Sequence, residues 1–324
     1  MTHDTLTVAE VARLGDAILA EVGTAVVGMD DPLRIALATV LAGGHVLFED
    51  VPGTGKTLAA RSLATTLGLD FARLQCTPDL LPSDVTGSSV WDPERRDFVF
   101  RPGPVFTGLF LADEINRTAP KTQSALLEAM AERQVTVEGV SRALPQPFHV
   151  MATSNPVEYE GTYPLPEAQL DRFMVRLAVG YPTGAGEREV LTRRIARQQE
   201  AAPVRQVVEA STVLAMQGGV EALDVDPDVV GYCVDLVAAT RNHPALEVGA
   251  SPRGSQNLML LARAVAVLEG RELVLPEDVK QVAVPVLAHR LTLTATSWAS
   301  GRRPEDVVTG LLASVPTPST VRQG

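Results

Sequence analysis

An apolar run, HVLFE at 45–49, passes straight into DVPGTGKT at 50–57 and from there into LAARSLATTL. That succession leaves a chain few ways to fold: a strand must stop, turn through Gly53 and Gly55, and restart as a helix near Lys56 and Thr57. Such a turn aims backbone N–H groups and the positive end of a helix at one point, with an ammonium and a hydroxyl beside them. This is the chemistry of a phosphate-binding loop. Lys56 is expected on the β- and γ-phosphates of ATP and Thr57 on Mg²⁺, with Gly53, Thr54, Gly55 and Leu58 against the nucleotide. In one respect the loop departs from the general pattern, which has glycine six residues before the lysine. Asp50 stands there and is expected to point away from the phosphates.

Further apolar runs follow at 70–75 (DFARLQ), 109–112 (LFLA), 147–153 (PFHVMAT) and 174–179 (MVRLAV), alternating with helical segments. The alternation predicts an α/β fold with a largely parallel sheet. In KTQSALLEAMAERQ, Leu126, Leu127 and Met130 share one helical face, with Thr118 as the expected cap and Pro120 in the first turn. QVTVEGVSRAL alternates on both sides of Glu138-Gly139 and predicts a hairpin. Trp91 and Phe98 flank Asp92 to Asp97 in a second hairpin, readable either as aromatic core or as a client-gripping, ring-lining loop.

The turn-rich GYPTGAG at 180–186 separates this α/β part, 1–182, from an almost wholly helical one, 183–324. In the second part Ser251 caps and Pro252 opens a helix that carries Arg253 in its first turn and buries Leu258, Leu261, Ala262, Val265 and Leu268. PEDV occurs at 276–279 and again at 304–307; proline followed by acids is helix-start chemistry and needs no duplicated functional unit.

Two domains also suit 324 residues that are 45% apolar. Acidic residues number 39 against 28 basic ones, a net charge of −11, which argues against a surface built to neutralise nucleic-acid phosphates or anionic lipid. Arg95, Arg96 and Lys121 read as scattered solvated charges. Cys76 and Cys233 are too few for a disulfide framework and are expected as buried small hydrophobes in a reducing compartment. The first 23 residues read as an amphipathic helix without a basic, then apolar, leader pattern. Ile35 to Phe48, broken by Gly43, Gly44 and His45, is shorter than the roughly 20 residues of a membrane span. A cytoplasmic protein without membrane insertion is the expectation. The five histidines show no metal-ligand spacing.

LFLADEIN delivers Asp113 and Glu114 to the carboxyl end of a buried strand, where open α/β sheets bind ligands. Adjacent side chains diverge there, so Asp113 is expected to hold the metal's water shell while Glu114 orients and deprotonates a water for in-line attack on the γ-phosphate. The fourth run ends in Thr153-Ser154-Asn155, setting an amide beside that strand. LPEAQLDRF places Arg172 before the fifth run, either as an ion-pair partner of Asp171 or facing a neighbour's nucleotide.

Together TPDLLPSDVTG, FRPGPVF, LADEINRTAPKTQSALLEAMAERQVTVEG, NPVEYEGTYPLPEAQLDRF and GASPRG resemble the pattern of the MoxR family of AAA+ ATPases, from about Val26 to Val315. The resemblance implies a P-loop NTPase core of AAA+ type followed by a smaller all-α lid, assembly into a ring, commonly a hexamer, and nucleotide held between subunits. It implies roles as well: Gly53 to Thr57 as Walker A, Asp113 and Glu114 as Walker B, Asn155 as sensor 1, Arg172 as an arginine finger and Arg253 as sensor 2, with Val27 and Gly28 near adenine. Met29 stands where many members carry Gln, and Thr54 where many carry a bulky apolar residue. Family members act as chaperone-like remodellers of protein complexes, several by metal-cofactor insertion and often beside a von Willebrand A domain partner.

An ATP-hydrolysing remodeller of a protein client is therefore the leading expectation. A nucleic-acid motor or loader needs repeated basic residues in a pore, and the QVTVEGVSRAL hairpin offers Arg142 alone. For a small P-loop phosphotransferase, Glu114, Asn155 and Arg172 suit water as nucleophile better than a bound acceptor.

Overall fold

The computed structural model describes residues 5–49, 51, 53–155, 162–199 and 201–319. In chain order, the strands through residue 177 are β1 (Val46–Glu49), β2 (Phe71–Gln75), β3 (Gly87–Asp92), β4 (Asp97–Pro102), β5 (Leu109–Asp113), β6 (Gln134–Val137), β7 (Val140–Ala143), β8 (His149–Ser154) and β9 (Val175–Leu177). Each of the five apolar runs overlaps one strand of a single sheet, ordered β2-β5-β8-β1-β9, with every pairing parallel; β5 and β8 run one residue further than expected, to Asp113 and Ser154. Parallel strands are covered on both faces, which is why β5 and β8 are buried along their whole length.

Period-two alternation sorts the side chains onto the two faces. Leu109, Leu111, Val46, Phe48 and Met151 turn to one face and join the helices Val8–Ala25, Asp30–Leu41, Pro252–Leu268 and Pro276–Leu287 in one continuous core. Phe110, Ala112, Leu47 and Val150 turn to the other and meet Leu126, Leu127 and Met130 of the helix Pro120–Glu132. Cys76 and Cys233 are free thiols buried one in each core, and burial pushes both up to about 12. A smaller, predominantly helical lid follows the parallel core and carries one two-stranded antiparallel ribbon, Leu246–Val248 against Thr292–Leu293.

Local chemistry sets most boundaries as expected. Glu138 and Gly139 turn the β6–β7 hairpin with φ of 54° and 76°, the two positive values that a tight twisted hairpin requires. Ser251 accepts a hydrogen bond from the Arg253 N–H and Pro252 opens the helix. Both PEDV segments start helices, and their aspartates, Asp278 and Asp306, accept from the N–H groups of Leu275 and Arg303. Two expectations do not hold. Ala119, not Thr118, is the N-cap of the helix Pro120–Glu132, and it supplies no side-chain bond; Pro120, which has no N–H, removes one of the donors a cap would satisfy. Trp91 and Phe98 are not core: they face each other edge-on across the β3–β4 hairpin, rings 5.4 Å apart, at 50% and 65% exposure. Among the described residues no helix is long and apolar enough to cross a membrane.

Three buried histidines tie the layers together. His45 Nδ1 accepts from the Val150 N–H at 2.9 Å, so Nε2 carries the proton toward the Met130 carbonyl. His149 Nδ1 donates to the Gly44 carbonyl, leaving Nε2 to accept from Gln217 of the helix Ala210–Glu221. Burial holds His45 down at about 3 and His149 at about 4, and burial beside Arg290 holds His289 well below its usual value. Groups depressed when folded bind protons preferentially in the unfolded chain, so their contribution is whole above about pH 6.5 and is lost as pH falls toward 4. Urea unfolding should therefore show stability falling between pH 7 and 5 by up to about 1.4 kcal/mol per pH unit for each imidazole. A flat profile over that window would contradict the neutral-histidine network.

Candidate functional site

β1 ends at Glu49, and the helix Lys56–Thr66 begins after Gly55, whose φ of 89°, like the 82° of Gly53, suits glycine. Nothing lies within 4 Å of a Cβ built on either glycine, so the loop faces open space. Lys56 Nζ reaches back to the Val51 carbonyl at 2.6 Å, along the rim of that space. Asp50, expected to point away from the phosphates, lies outside the described residues.

The β2-β5-β8 order sets the tips of three strands side by side in front of the loop. Asp113, at the tip of β5, is almost fully buried. Its Oδ1 accepts from Thr153 Oγ1 of β8 at 2.6 Å, and its Oδ2 accepts from Thr57 Oγ1 at 3.2 Å. Oδ2 also receives Arg73 of β2, through Nε at 2.9 Å and Nη2 at 2.8 Å. Glu114 follows in the left-handed region, φ 59° and ψ 51°, at a cost of about 1–2 kcal/mol for a non-glycine residue. Thr153 Oγ1 holds this turn by accepting the Glu114 N–H at 2.7 Å. The reversal parts the two carboxylates: that of Glu114 goes to Gln75 Nε2 at 2.8 Å and to Arg117 at 3.2 Å. Buried Asn155 continues β8, its main-chain carbonyl accepting from Asn116 at 3.2 Å.

These groups wall one polar cavity of about 420 Å³ that includes Lys56, Thr57, Asp113, Glu114 and Asn155. A second, mostly apolar cavity of about 470 Å³ shares Gly53, Thr54, Gly55 and Leu58 with it and adds Val27, Gly28, Val190 and Leu191. Arg193 fixes the helix Gly184–Arg197 on this side by donating to the Gly23 and Thr24 carbonyls at the end of the first helix. An apolar slot joined through a glycine loop to a polar chamber matches the two halves of a nucleotide, base and phosphates. Thr57 Oγ1 and Asp113 Oδ2 supply hard oxygen donors at the chamber, the donor type that Mg²⁺ takes.

Arg172 and Arg253 line a third cavity, of about 270 Å³, that shares no lining residue with the other two. Arg172 donates to the Leu127 carbonyl and makes no ion pair with Asp171, so that reading of it falls. Asp171 is held by Arg290 at 2.9 Å, by Ser251 Oγ at 3.2 Å and, more loosely, by Arg253 at 3.7 Å. The structure thus brings Arg172 and Arg253 together and leaves both off their own chain's phosphate cavity.

Sequence reasoning passed over Arg73, Gln75, Thr153 and Arg290. For the β2 pair the sequence offers only the alternation of Arg73 and Gln75 with Ala72 and Leu74; the register that sets Gln75 level with Asp113 is seen in the structure. Arg290 bonds residues more than 110 positions away, a relation that no spacing reveals.

Residues 45–175 match the ATPase family associated with various cellular activities (AAA), and residues 238–311 match the AAA lid domain. The chain is 46% identical to YeaC of Bacillus subtilis over 94% of its length and 95% of that protein's. It is 42% identical to Chaperone MoxR1 of Mycobacterium tuberculosis, covering 96% of this chain and 84% of the relative. With MoxR of Paracoccus denitrificans the identity is 34%, over 95% and 97% of the two chains. A crystal structure from Cytophaga hutchinsonii, 39% identical, superposes with a TM-score of 0.90 over 96% of this chain and 97% of that one. Likeness of this extent, running from the phosphate loop through the lid, settles the lineage: the chain belongs to the MoxR family of AAA+ ATPases and is an ATP-hydrolysing enzyme.

Proposed function

We propose that this ATPase is a cytoplasmic, chaperone-like ring, hexameric in form, that remodels or matures protein complexes beside a von Willebrand A domain partner, metal-cofactor insertion being one such maturation. Residues 1–182 bind nucleotide and residues 183–324 form the lid that registers it. Support for the chaperone role comes from the relative named Chaperone MoxR1. A protein client suits the net charge of −11 better than a nucleic acid does.

The observation that carries the reading is the pairing of Arg172 with Arg253 in a cavity apart from their own phosphate chamber. Guanidinium groups that stabilise a transferring phosphoryl must touch it, and two that sit away from their own loop suit the nucleotide of an adjacent subunit. Within one chain, the N–H groups about Gly53 and Gly55 and the Lys56 ammonium hold the phosphates. Thr57 Oγ1 and Asp113 Oδ2 would hold Mg²⁺, which supplies charge neutralisation at the β- and γ-phosphates. Glu114, released from Gln75 and Arg117, takes the proton of the attacking water, and the Asn155 amide orients that water against the γ-phosphate. Val27, Gly28, Thr54 and Leu58 exclude water around the base.

Lys56→Ala should lose nucleotide affinity, whereas Glu114→Gln should bind ATP normally and turn it over at least about a hundredfold more slowly, its carboxylate acting chiefly in the transition state. Nucleotide binding and steady-state phosphate release measure the two effects; near-normal turnover by the Glu114 variant would remove it from the chemistry.

Arg172→Ala or Arg253→Ala protein, and Lys56→Ala protein, should each be nearly inactive alone and regain partial ATPase activity when mixed, because some interfaces then join an intact loop to intact arginines. A mixture that stays inactive although subunit exchange is demonstrated would place both arginines in service of their own chain.

A further inference from the structure

Arg73 is the one basic side chain of β2, at the middle of the strand, and its position is not explained by that strand's place at the edge of the sheet. A charge that only protects an edge from pairing points into solvent. Arg73 instead turns both Nε and Nη2 onto a single oxygen of Asp113, Oδ2. The two oxygens of that carboxylate are unequal. Oδ1 is committed to the buried Thr153 hydroxyl, while Oδ2 faces the Thr57 hydroxyl across 3.2 Å. Oδ2 is therefore the oxygen left for a metal shell shared with Thr57, and it is the one the guanidinium covers.

We propose that Arg73 is an internal counter-ion of the metal site, a positioning residue that holds Asp113 Oδ2 in the nucleotide-free protein and is displaced from it by the divalent cation of metal–ATP. This rests on the nucleotide reading of the site. Without nucleotide, the adjacent carboxylates of Asp113 and Glu114 need cations nearby, and Arg73 and Arg117 supply them. The divalent cation of metal–ATP needs Asp113 Oδ2, the oxygen shared with Thr57, and competes for it with twice the charge of the guanidinium, which is the group able to leave. Its side chain is 44% exposed, so water takes over its hydrogen bonds.

Departure also reaches Glu114. Arg73 Nη2 donates to Gln75 Oε1 at 3.0 Å, and the Gln75 amide in turn holds Glu114 at 2.8 Å. Withdrawal of Arg73 removes the bond that fixes the Gln75 amide, so metal arrival and release of the Glu114 carboxylate are linked through two residues of one strand.

The test is metal affinity in the full-length protein. Wild type, R73Q and R73K are saturated with a non-hydrolysable ATP analogue and titrated with Mn²⁺, free Mn²⁺ being read by electron paramagnetic resonance. At saturating analogue, R73Q should bind Mn²⁺ about three- to tenfold more tightly, the size expected for removal of one half-exposed competing charge. R73K, which keeps the charge, should lie close to wild type, and the difference should shrink as salt is raised. Mn²⁺ binding by R73Q equal to or weaker than wild type, or R73K as tight as R73Q, overturns the counter-ion role. If wild type takes up neither analogue nor Mn²⁺, the nucleotide reading fails first and the counter-ion role falls with it.

Discussion

The carboxylate of Asp113 is the point on which the site depends. It ends a strand buried throughout its length, and its partners come from the strand on either side and from the phosphate loop: Arg73 of β2, Thr153 of β8 and Thr57. A buried carboxylate is tolerated only when its oxygens are satisfied, so all three neighbours are held in register with it. Thr153 extends the constraint by accepting the Glu114 N–H, which fixes the left-handed turn that separates the two acids. The parallel sheet matters to function because it sets these tips side by side.

A second carboxylate organises the opposite cavity. Asp171 is gripped by Arg290, whose side chain is 1% exposed and also bonds the Phe173 carbonyl. Through Ser251 and Arg253 the same carboxylate meets the first turn of a lid helix. Arg253 there opposes the helix dipole, and Asp171 offsets that charge. The salt bridge to Arg253 is the loosest of the three contacts, so a stronger anion can draw Arg253 away while Arg290 and Ser251 keep Asp171 in place. Arg172, next in sequence, lines one cavity with Arg253 of that helix.

Much of this was legible in the sequence, for physical reasons. Buried parallel strands must be apolar, so the runs that became β1, β5 and β8 stand out, and a strand-to-helix turn through Gly53 and Gly55 has few alternatives. Asp113, Glu114 and Asn155 follow from ending such strands in polar residues. Relations between distant elements were not legible. Arg73 and Gln75, inside the run at 70–75, carried no role until the register set Gln75 level with Asp113. The partner of Asp171 is not its neighbour Arg172 but Arg290, brought in by packing of the lid. Trp91 and Phe98 pair across a hairpin rather than in a core, because the β3–β4 ribbon pairs only with itself. Thr118 lost the capping position to Ala119 because the helix starts one residue later.

In the proposed ring one chain supplies the phosphate loop and the carboxylates while another supplies the paired arginines. A structure of the assembled Glu114→Gln protein with ATP and Mg²⁺, at a resolution that shows side chains, tests it most directly. Arg172 and Arg253 of one subunit should then lie within hydrogen-bond distance of the γ-phosphate held by the Lys56 loop of its neighbour, with Arg73 withdrawn from Asp113. A γ-phosphate touched only by groups of its own chain, with Arg172 still on the Leu127 carbonyl, would contradict it.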